Sequence, residues 1–119
     1  MTGHESPIDP DTYIAVVLKM YLELPETPSR ARPHDRRTAL NLCARRVTFP
    51  TVEAAMLLAS LRRLGRPPDY SPLSPIRSLA YFMPTIEEVL ANPIPDGYLD
   101  YLRRKVQILG GEGRAKKCG

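Results

Sequence analysis

Arginine is the residue type in this sequence whose number and spacing could do chemistry. Between positions 30 and 66 only two residues are acidic, Asp35 and Glu53, and nine are basic. All nine are arginines: Arg30, Arg32, Arg36, Arg37, Arg45, Arg46, Arg62, Arg63 and Arg66. A guanidinium group binds phosphate through paired hydrogen bonds and stays charged when partly desolvated, whereas a lysine ammonium is a more strongly hydrated point charge. The segment therefore favours phosphate contacts, and nucleic acid is the partner that we expect first.

Two other uses of arginine compete with this interpretation. At the C-terminal end of a helix an arginine binds free carbonyl groups and opposes the dipole, and four of the nine fall at such predicted ends: Arg45, Arg46, Arg62 and Arg63. Capping does not explain Arg36 and Arg37, which we expect near a helix start, nor the three arginines in loops. A solvated basic surface and an acidic protein partner remain as alternatives.

The sequence offers no set of residues typical of an enzyme or a metal site. His34 stands beside an acidic residue but lacks a partner nucleophile. Glu87 and Glu88 point in directions about 100° apart on a helix, so they cannot act together as an acid and a base. Cys43 and Cys118 have no metal-ligand spacing around them. We therefore expect no enzyme, no metal, no cofactor and no small-molecule substrate.

The apolar residues repeat at three- and four-residue intervals, and no window alternates as a strand does. With 119 residues, 43% of them hydrophobic and 25% charged, the chain can bury one core. We predict an all-α fold, a compact bundle of about five short helices with two proline-rich loops. The longest apolar stretches are too short to cross a bilayer, and the N-terminus lacks a secretory pattern, so we expect a cytoplasmic protein with no membrane partner.

Capping residues and prolines indicate where the helices lie. The first helix begins after Asp9 and ends before Pro25, and the others span residues 35–46, 50–64, 75–91 and 97–108. The expected N-caps are Asp9, Thr48, Ser74 and Asp96, and Pro84 should give either one kinked fourth helix or two short ones. In the second helix the residues expected to face inward are Ala39, Leu40 and Cys43.

The domain organisation follows from these elements. We predict a flexible N-terminus over 1–8, a single helical domain over 9–108 and a disordered basic tail over 109–119. The proline-rich loops cover 25–33, which has no evident core residue, and 66–75.

The second and third helices decide where the arginines meet. A helix-turn-helix is disfavoured because the third helix is too apolar to enter a groove, so we expect that helix to be buried centrally. An antiparallel hairpin would bring five arginines to one end of the domain: Arg36, Arg37, Arg62, Arg63 and Arg66. Arg45 and Arg46 would then form a secondary patch at the opposite end.

The aromatic residues allow a second type of function. We expect Phe82 and at least two of the C-terminal tyrosines in the core, although a base-stacking platform is conceivable. Tyr70, among prolines, is the exposed exception. The alternative to nucleic-acid binding is therefore a subunit that docks onto a larger protein through the proline-rich loop and the fourth helix, with Tyr70 and Arg77 as contacts.

Three stretches, Thr48–Leu64, Pro75–Phe82 and Asp96–Arg103, resemble small uncharacterised bacterial proteins encoded near transposable or other mobile elements. The resemblance covers most of the chain, but it transfers no activity and no functional residue. It implies a bacterial setting and a DNA- or RNA-associated role. We thus predict a non-enzymatic nucleic-acid-binding accessory protein, or a small subunit of a nucleoprotein complex, with weak sequence preference.

Overall fold

The computed structural model describes residues 9–67, 69–71 and 73–111, and within them it contains helices and no strand. The elements are α1 (Pro10–Leu22), α2 (Pro33–Ala44), α3 (Phe49–Leu64), a 3-10 helix (Leu79–Phe82), α4 (Met83–Ala91) and α5 (Tyr98–Gly111). The predicted all-α bundle of about five helices is confirmed. The expected flexible N-terminus, most of the expected tail and Cys118 lie outside the described residues.

The starts of α1 and α3 follow the local signals in the sequence. The Asp9 carboxylate accepts a hydrogen bond from the Thr12 N–H at 3.2 Å, and the Thr48 hydroxyl accepts one from the Thr51 N–H at 3.4 Å. A proline occupies the first turn of each helix, where its missing N–H leaves no bond unmade. Both predicted caps are confirmed.

Helix α2 differs from the prediction in the face that it buries. Leu42 and Ala39 are fully buried, whereas Leu40, which we expected to face inward, is 48% exposed. Asp35, one turn before Ala39, is also fully buried. Because the inward face of α2 includes the Asp35 carboxylate, the positions of the apolar residues are not enough to predict which face is buried.

The fourth helical region consists of two short elements, one of the two outcomes expected. Residues 75–78 are not helical, and Ser78 rather than Ser74 caps the 3-10 helix by accepting a bond from the Ala80 N–H at 2.9 Å. Pro84 lies in the first turn of α4. At that position proline favours the start of a helix, so it begins α4 instead of interrupting one.

Helix α3 lies at the centre of the fold, as predicted, and packs against α4 and α5. Helix α2 packs on α1 and on the 3-10 helix instead, so the expected antiparallel hairpin of α2 and α3 is wrong. Helix α5 runs in the same direction as α3, because Arg103 pairs with Glu53 near the start of α3 and Gly110 lies near Leu64 at its end.

The two connecting loops meet at one end of the bundle, which we call the loop end. There the Ile76 N–H donates to the Glu26 carbonyl at 3.2 Å. Pro25 and Thr27 are buried, so the expectation of no core residue in this loop is wrong. Pro25 packs on Gly110, where an added Cβ would lie only 2.7 Å from the proline Cγ. Helix α5 continues to Gly111, three residues beyond the predicted end of the domain.

The aromatic core differs from the prediction. Phe82 is buried as expected, but Tyr81, Tyr98 and Tyr101 are 40–42% exposed. Helix α5 turns Leu102 and Val106 inward, and its two tyrosines lie on other sides of the helix. The buried tyrosines are Tyr13 and Tyr21 of α1. None of the described helices combines the length and apolar character needed to span a membrane.

Candidate nucleic-acid interface

Two of the nine arginines form bidentate ion pairs with neighbouring carboxylates of α4. Arg45 binds Glu87 through contacts of 2.7 and 2.9 Å, and Arg62 binds Glu88 through contacts of 2.9 and 2.6 Å. These hydrogen bonds raise the pKa of each guanidinium group and lower the pKa of each carboxyl. Because their charges are matched within the protein, Arg45 and Arg62 are less available to a polyanion than unpaired arginines.

Arg63 is a structural residue of the loop end. Its side chain is only 5% exposed, and its Nε donates to Glu26 Oε1 at 2.5 Å. The other guanidinium nitrogens donate to the Tyr81 hydroxyl and to the Ser74 carbonyl. Burial lowers the pKa of Arg63, but the bonds to Tyr81 and Glu26 outweigh burial and raise it. Arg63 therefore holds both loops and the 3-10 helix together.

Arg66 contacts the second proline-rich loop without neutralising its charge. Its guanidinium lies 5.1 Å from the centre of the Tyr70 ring and donates to the Ser71 carbonyl at 2.9 Å. Among the described residues it has no carboxylate partner. The exposed position expected for Tyr70 is confirmed.

The remaining arginines of the segment are exposed and, within the described part of the chain, have neither an ion pair nor a side-chain hydrogen bond. They are Arg30, Arg32, Arg36, Arg37 and Arg46. Arg77 has the same character. Five of these six lie around the start of α2 and are called the arginine patch below: Arg30, Arg32, Arg36, Arg37 and Arg77. Arg46 lies beyond the far end of α2.

Arg77 belongs to the patch because of a contact that the sequence did not reveal. Asp35 Oδ1 accepts a hydrogen bond from the Leu79 N–H at 2.8 Å, which places residues 77–79 at the start of α2. Asp35 Oδ2 accepts a second bond from the Arg32 N–H at 2.9 Å. The carboxylate is thus turned into the protein and binds backbone, so it forms no ion pair with the arginines on either side of it.

The sequence marks Asp35 as the first residue of the second helix, the neighbour of His34 and one of two acidic residues among the arginines, and it predicts no structural role for its carboxylate. The His34 Nε2 lies 3.4 Å from the Asp35 carboxylate. The charge of that carboxylate also acts on the hydroxyl of Tyr21. Burial, followed by the negative charge of Asp35, raises the pKa of Tyr21 to about 12. One local signal was available, because an acidic residue two positions after a helix-initiating proline is a common first-turn arrangement.

The predicted convergence of five arginines takes a different form. Arg36 and Arg37 follow the first loop, and Arg62, Arg63 and Arg66 precede the second, so both groups lie at the loop end. Residues 74–81 link the two groups: Ser74 and Tyr81 accept hydrogen bonds from Arg63, and the Leu79 N–H donates to Asp35. The loops, and not a helical hairpin, bring the groups together. The expected secondary patch is reduced to Arg46, because Arg45 is paired.

A further cationic surface lies on α5. Arg104 and Lys105 are exposed, and Tyr98 and Tyr101 stack on each other with ring centres 5.1 Å apart. No group of three or more metal-ligating side chains occurs among the described residues. Comparison of the chain with protein-family models, with curated proteins and with solved structures gave no match.

Proposed function

We propose that this protein binds nucleic acid without catalysing a reaction on it, and that the arginine patch makes the phosphate contacts. One observation carries the proposal: five exposed arginines lie around the start of α2, and no described carboxylate pairs with them. Elsewhere in the protein, arginines such as Arg45 and Arg103 are matched with glutamates. When unpaired guanidinium groups bind a polyanion, they release the counterions condensed on the polyanion, and this release favours binding.

The position of the patch adds to its attraction for phosphate. The positive end of the α2 dipole lies at the same end of the helix as these arginines and favours negative charge there. Contacts of this kind read the charge and spacing of a backbone, not its bases. The expected activity is therefore binding with weak sequence preference, as in an accessory protein or a small subunit of a nucleoprotein complex. We propose that it takes place in the bacterial cytoplasm, the setting expected from the sequence.

A salt titration tests the proposal. The full chain is titrated against labelled duplex and single-stranded DNA and RNA at increasing salt, and log affinity should fall linearly with log salt. Unrelated sequences of equal length should bind about equally. Absence of binding to all four nucleic acids at low salt would rule the proposal out.

A pair of variants with the same change in net charge locates the contacts. Arg36→Gln with Arg37→Gln removes two patch residues, and the salt slope should fall by about 2 because each lost phosphate contact removes about one unit. The control, Arg45→Gln with Arg103→Gln, removes two arginines that already bind glutamates. An equal loss of affinity in both variants would assign the binding to net charge alone.

Docking onto a protein is the second candidate, and one feature favours it. Tyr70 is 57% exposed and lies against Arg66, and Leu73 and Tyr81 are exposed beside the same arginine. An apolar partner surface would bind these side chains with little dependence on salt. Binding that survives high salt and is lost on Tyr70→Ala would favour this alternative.

A further inference from the structure

A cleft opens at the loop end between the C-terminal turn of α3 and the start of α4. Its volume is about 360 Å³, and it is lined by Arg62, Arg63, Arg66, Leu73, Tyr81 and Thr85. This volume lies near the lower limit of sites for small ligands, which run from about 300 to 1,000 Å³. Because the lining combines three guanidinium groups with an aromatic ring and a leucine, the cleft is suited to a small anion that carries a flat apolar group.

The three arginines of the cleft differ in how firmly they are held. Arg63 is fixed in place by Glu26 and Tyr81, so its position is set before any ligand arrives. Arg66 has no carboxylate partner among the described residues. Arg62 pairs with Glu88, but both side chains are about half exposed, at 54% and 45%. An exposed pair of this kind contributes little to stability, so a ligand oxyanion can replace Glu88 on Arg62 at small net cost.

The charge of the ligand follows from this arrangement. A phosphate monoester carries between −1.5 and −2 charges near neutral pH and has three accepting oxygens, whereas a phosphodiester inside a strand carries one charge. Arg62, once its pair with Glu88 is broken, and Arg66 offer paired N–H donors to the three oxygens of the monoester, whose higher charge lets it compete with the Glu88 carboxylate better than a diester does. Leu73 and Tyr81 can then contact the adjoining base or sugar.

We propose that this cleft binds a nucleotide carrying a phosphate monoester, and that its source is the phosphorylated end of a nucleic-acid strand. The inference rests on the proposed function, since the body of the strand lies on the arginine patch. The two sites are continuous through the segment that carries Arg77, between Ser74 and Tyr81. The protein thereby distinguishes a phosphorylated strand end from the interior of a strand.

Competition binding with oligonucleotides of identical sequence tests the inference. The full chain is titrated with strands bearing a 5′-phosphate, a 3′-phosphate or hydroxyl groups at both ends. One phosphorylated strand should bind about tenfold more tightly than the hydroxyl strand, which corresponds to about 1.4 kcal/mol. Equal affinity of all three strands would overturn the inference and leave the proposed function intact.

Variants separate the cleft from the patch. Arg62→Gln with Arg66→Gln should abolish the preference for phosphorylated ends, whereas Arg36→Gln with Arg37→Gln should weaken all three strands and keep their ratio. Arg63 is left unchanged because the loop end depends on it. Circular dichroism and a thermal melt establish that each variant folds. A preference that survives the first variant and disappears in the second would place the site on the patch and overturn the inference.

A further measurement applies even if no strand binds and the proposed function fails. Adenosine monophosphate is titrated while the guanidinium Nε–H signals of Arg62 and Arg66 are followed by NMR. Saturable shifts with adenosine monophosphate, and none with adenosine, support the cleft with free nucleotide as the source. Absence of shifts, or competition by polyglutamate as effective as that of adenosine monophosphate, overturns the inference. Competition by polyglutamate would indicate that the cleft binds an acidic protein.

Discussion

The carboxylate of Asp35 accepts a hydrogen bond of 2.8 Å from the backbone N–H of Leu79, a residue 44 positions further along the chain. The same carboxylate binds the Arg32 N–H at the start of α2. One side chain therefore caps α2 and fixes the 3-10 helix beside it. It also explains why an acidic residue in the middle of the arginine patch leaves the positive charge of the patch exposed.

Replacement of Asp35 should destabilise the protein strongly. Asp35→Ala leaves the buried Leu79 N–H and the partly buried Arg32 N–H without their acceptor, so the free energy of unfolding should fall by about 3 kcal/mol, and Asp35→Asn, which keeps one acceptor oxygen, should lose less. Urea unfolding followed by circular dichroism measures both. Asp69→Asn is the control, because Asp69 is exposed and should change stability by less than about 0.5 kcal/mol. Equal effects at positions 35 and 69 would contradict the role of Asp35.

The two buried tyrosines of α1 should respond in opposite ways to loss of the hydroxyl. Tyr13 donates to the Val47 carbonyl at 2.6 Å, whereas the Tyr21 hydroxyl has no hydrogen-bond partner among the described residues. Tyr13→Phe should therefore lower the free energy of unfolding by about 1 kcal/mol, and Tyr21→Phe should leave it unchanged or raise it. The two variants serve as controls for each other in thermal unfolding.

The same tyrosines predict a loss of stability in alkali. Burial is the main cause that raises the pKa of Tyr13 and of Tyr21 to about 12, against about 10 in an unfolded chain. Between pH 10 and 12 the unfolded state releases protons that the folded state retains, so the free energy of unfolding falls as pH rises through this range. Below pH 10 these two groups add no pH dependence. Tyr21→Phe should make the alkaline decline shallower, and an unchanged slope would contradict the assignment.

Arg63 should matter for stability more than its neighbour. Arg63→Ala removes bonds to Glu26, Ser74 and Tyr81, and the expected loss is about 3 kcal/mol, as for other buried charged hydrogen bonds. Arg63→Lys should recover only part of it, because an ammonium group cannot reach three acceptors in one plane. Arg62→Ala, at an exposed ion pair, should leave the unfolding midpoint nearly unchanged. Equal effects of the two alanine variants would show that Arg63 does not hold the loops.

The contact between Gly110 and Pro25 gives a steric prediction. A Cβ at position 110 would lie 2.7 Å from the proline ring, so Gly110→Ala should lower stability by about 1–2 kcal/mol although alanine is the better helix former. Pro25→Ala removes the obstructing ring. In a double-mutant cycle the two changes together should be milder than their sum by about 1 kcal/mol. Strict additivity would mean that the two residues do not press on each other.

The features predicted correctly are those encoded by neighbouring residues. Asp9 and Thr48 cap helices whose first turns follow directly. Glu87 and Glu88 were expected only to point apart, and their pairing with Arg45 and Arg62 was not predicted. The inward face of α2 was predicted wrongly because Asp35 lies on it, where its carboxylate accepts a hydrogen bond from the distant Leu79 N–H.

In the candidate site, too, the features set by distant contacts were the ones that the sequence did not predict. The sequence reveals how many arginines there are but not which carboxylates they meet, and the partner of Arg63 lies 37 positions away in an earlier loop. Tyr98 and Tyr101 occupy helical positions that resemble core positions until the direction of α5 relative to α3 is known.

The loop that follows α1 is completed by residues that the ribosome adds much later. Pro25 packs on Gly110, and Glu26 accepts hydrogen bonds from the Arg63 side chain and the Ile76 N–H. Asp35 accepts a hydrogen bond from the Leu79 N–H. A nascent chain that has emerged only as far as α2 therefore has a helix pair whose connecting loop is unanchored, and its Asp35 carboxylate lacks one donor, the Leu79 N–H. Contacts of such long sequence separation form late and slow the search for the native state. The first third of this protein reaches its final form only when the last helix has been synthesised.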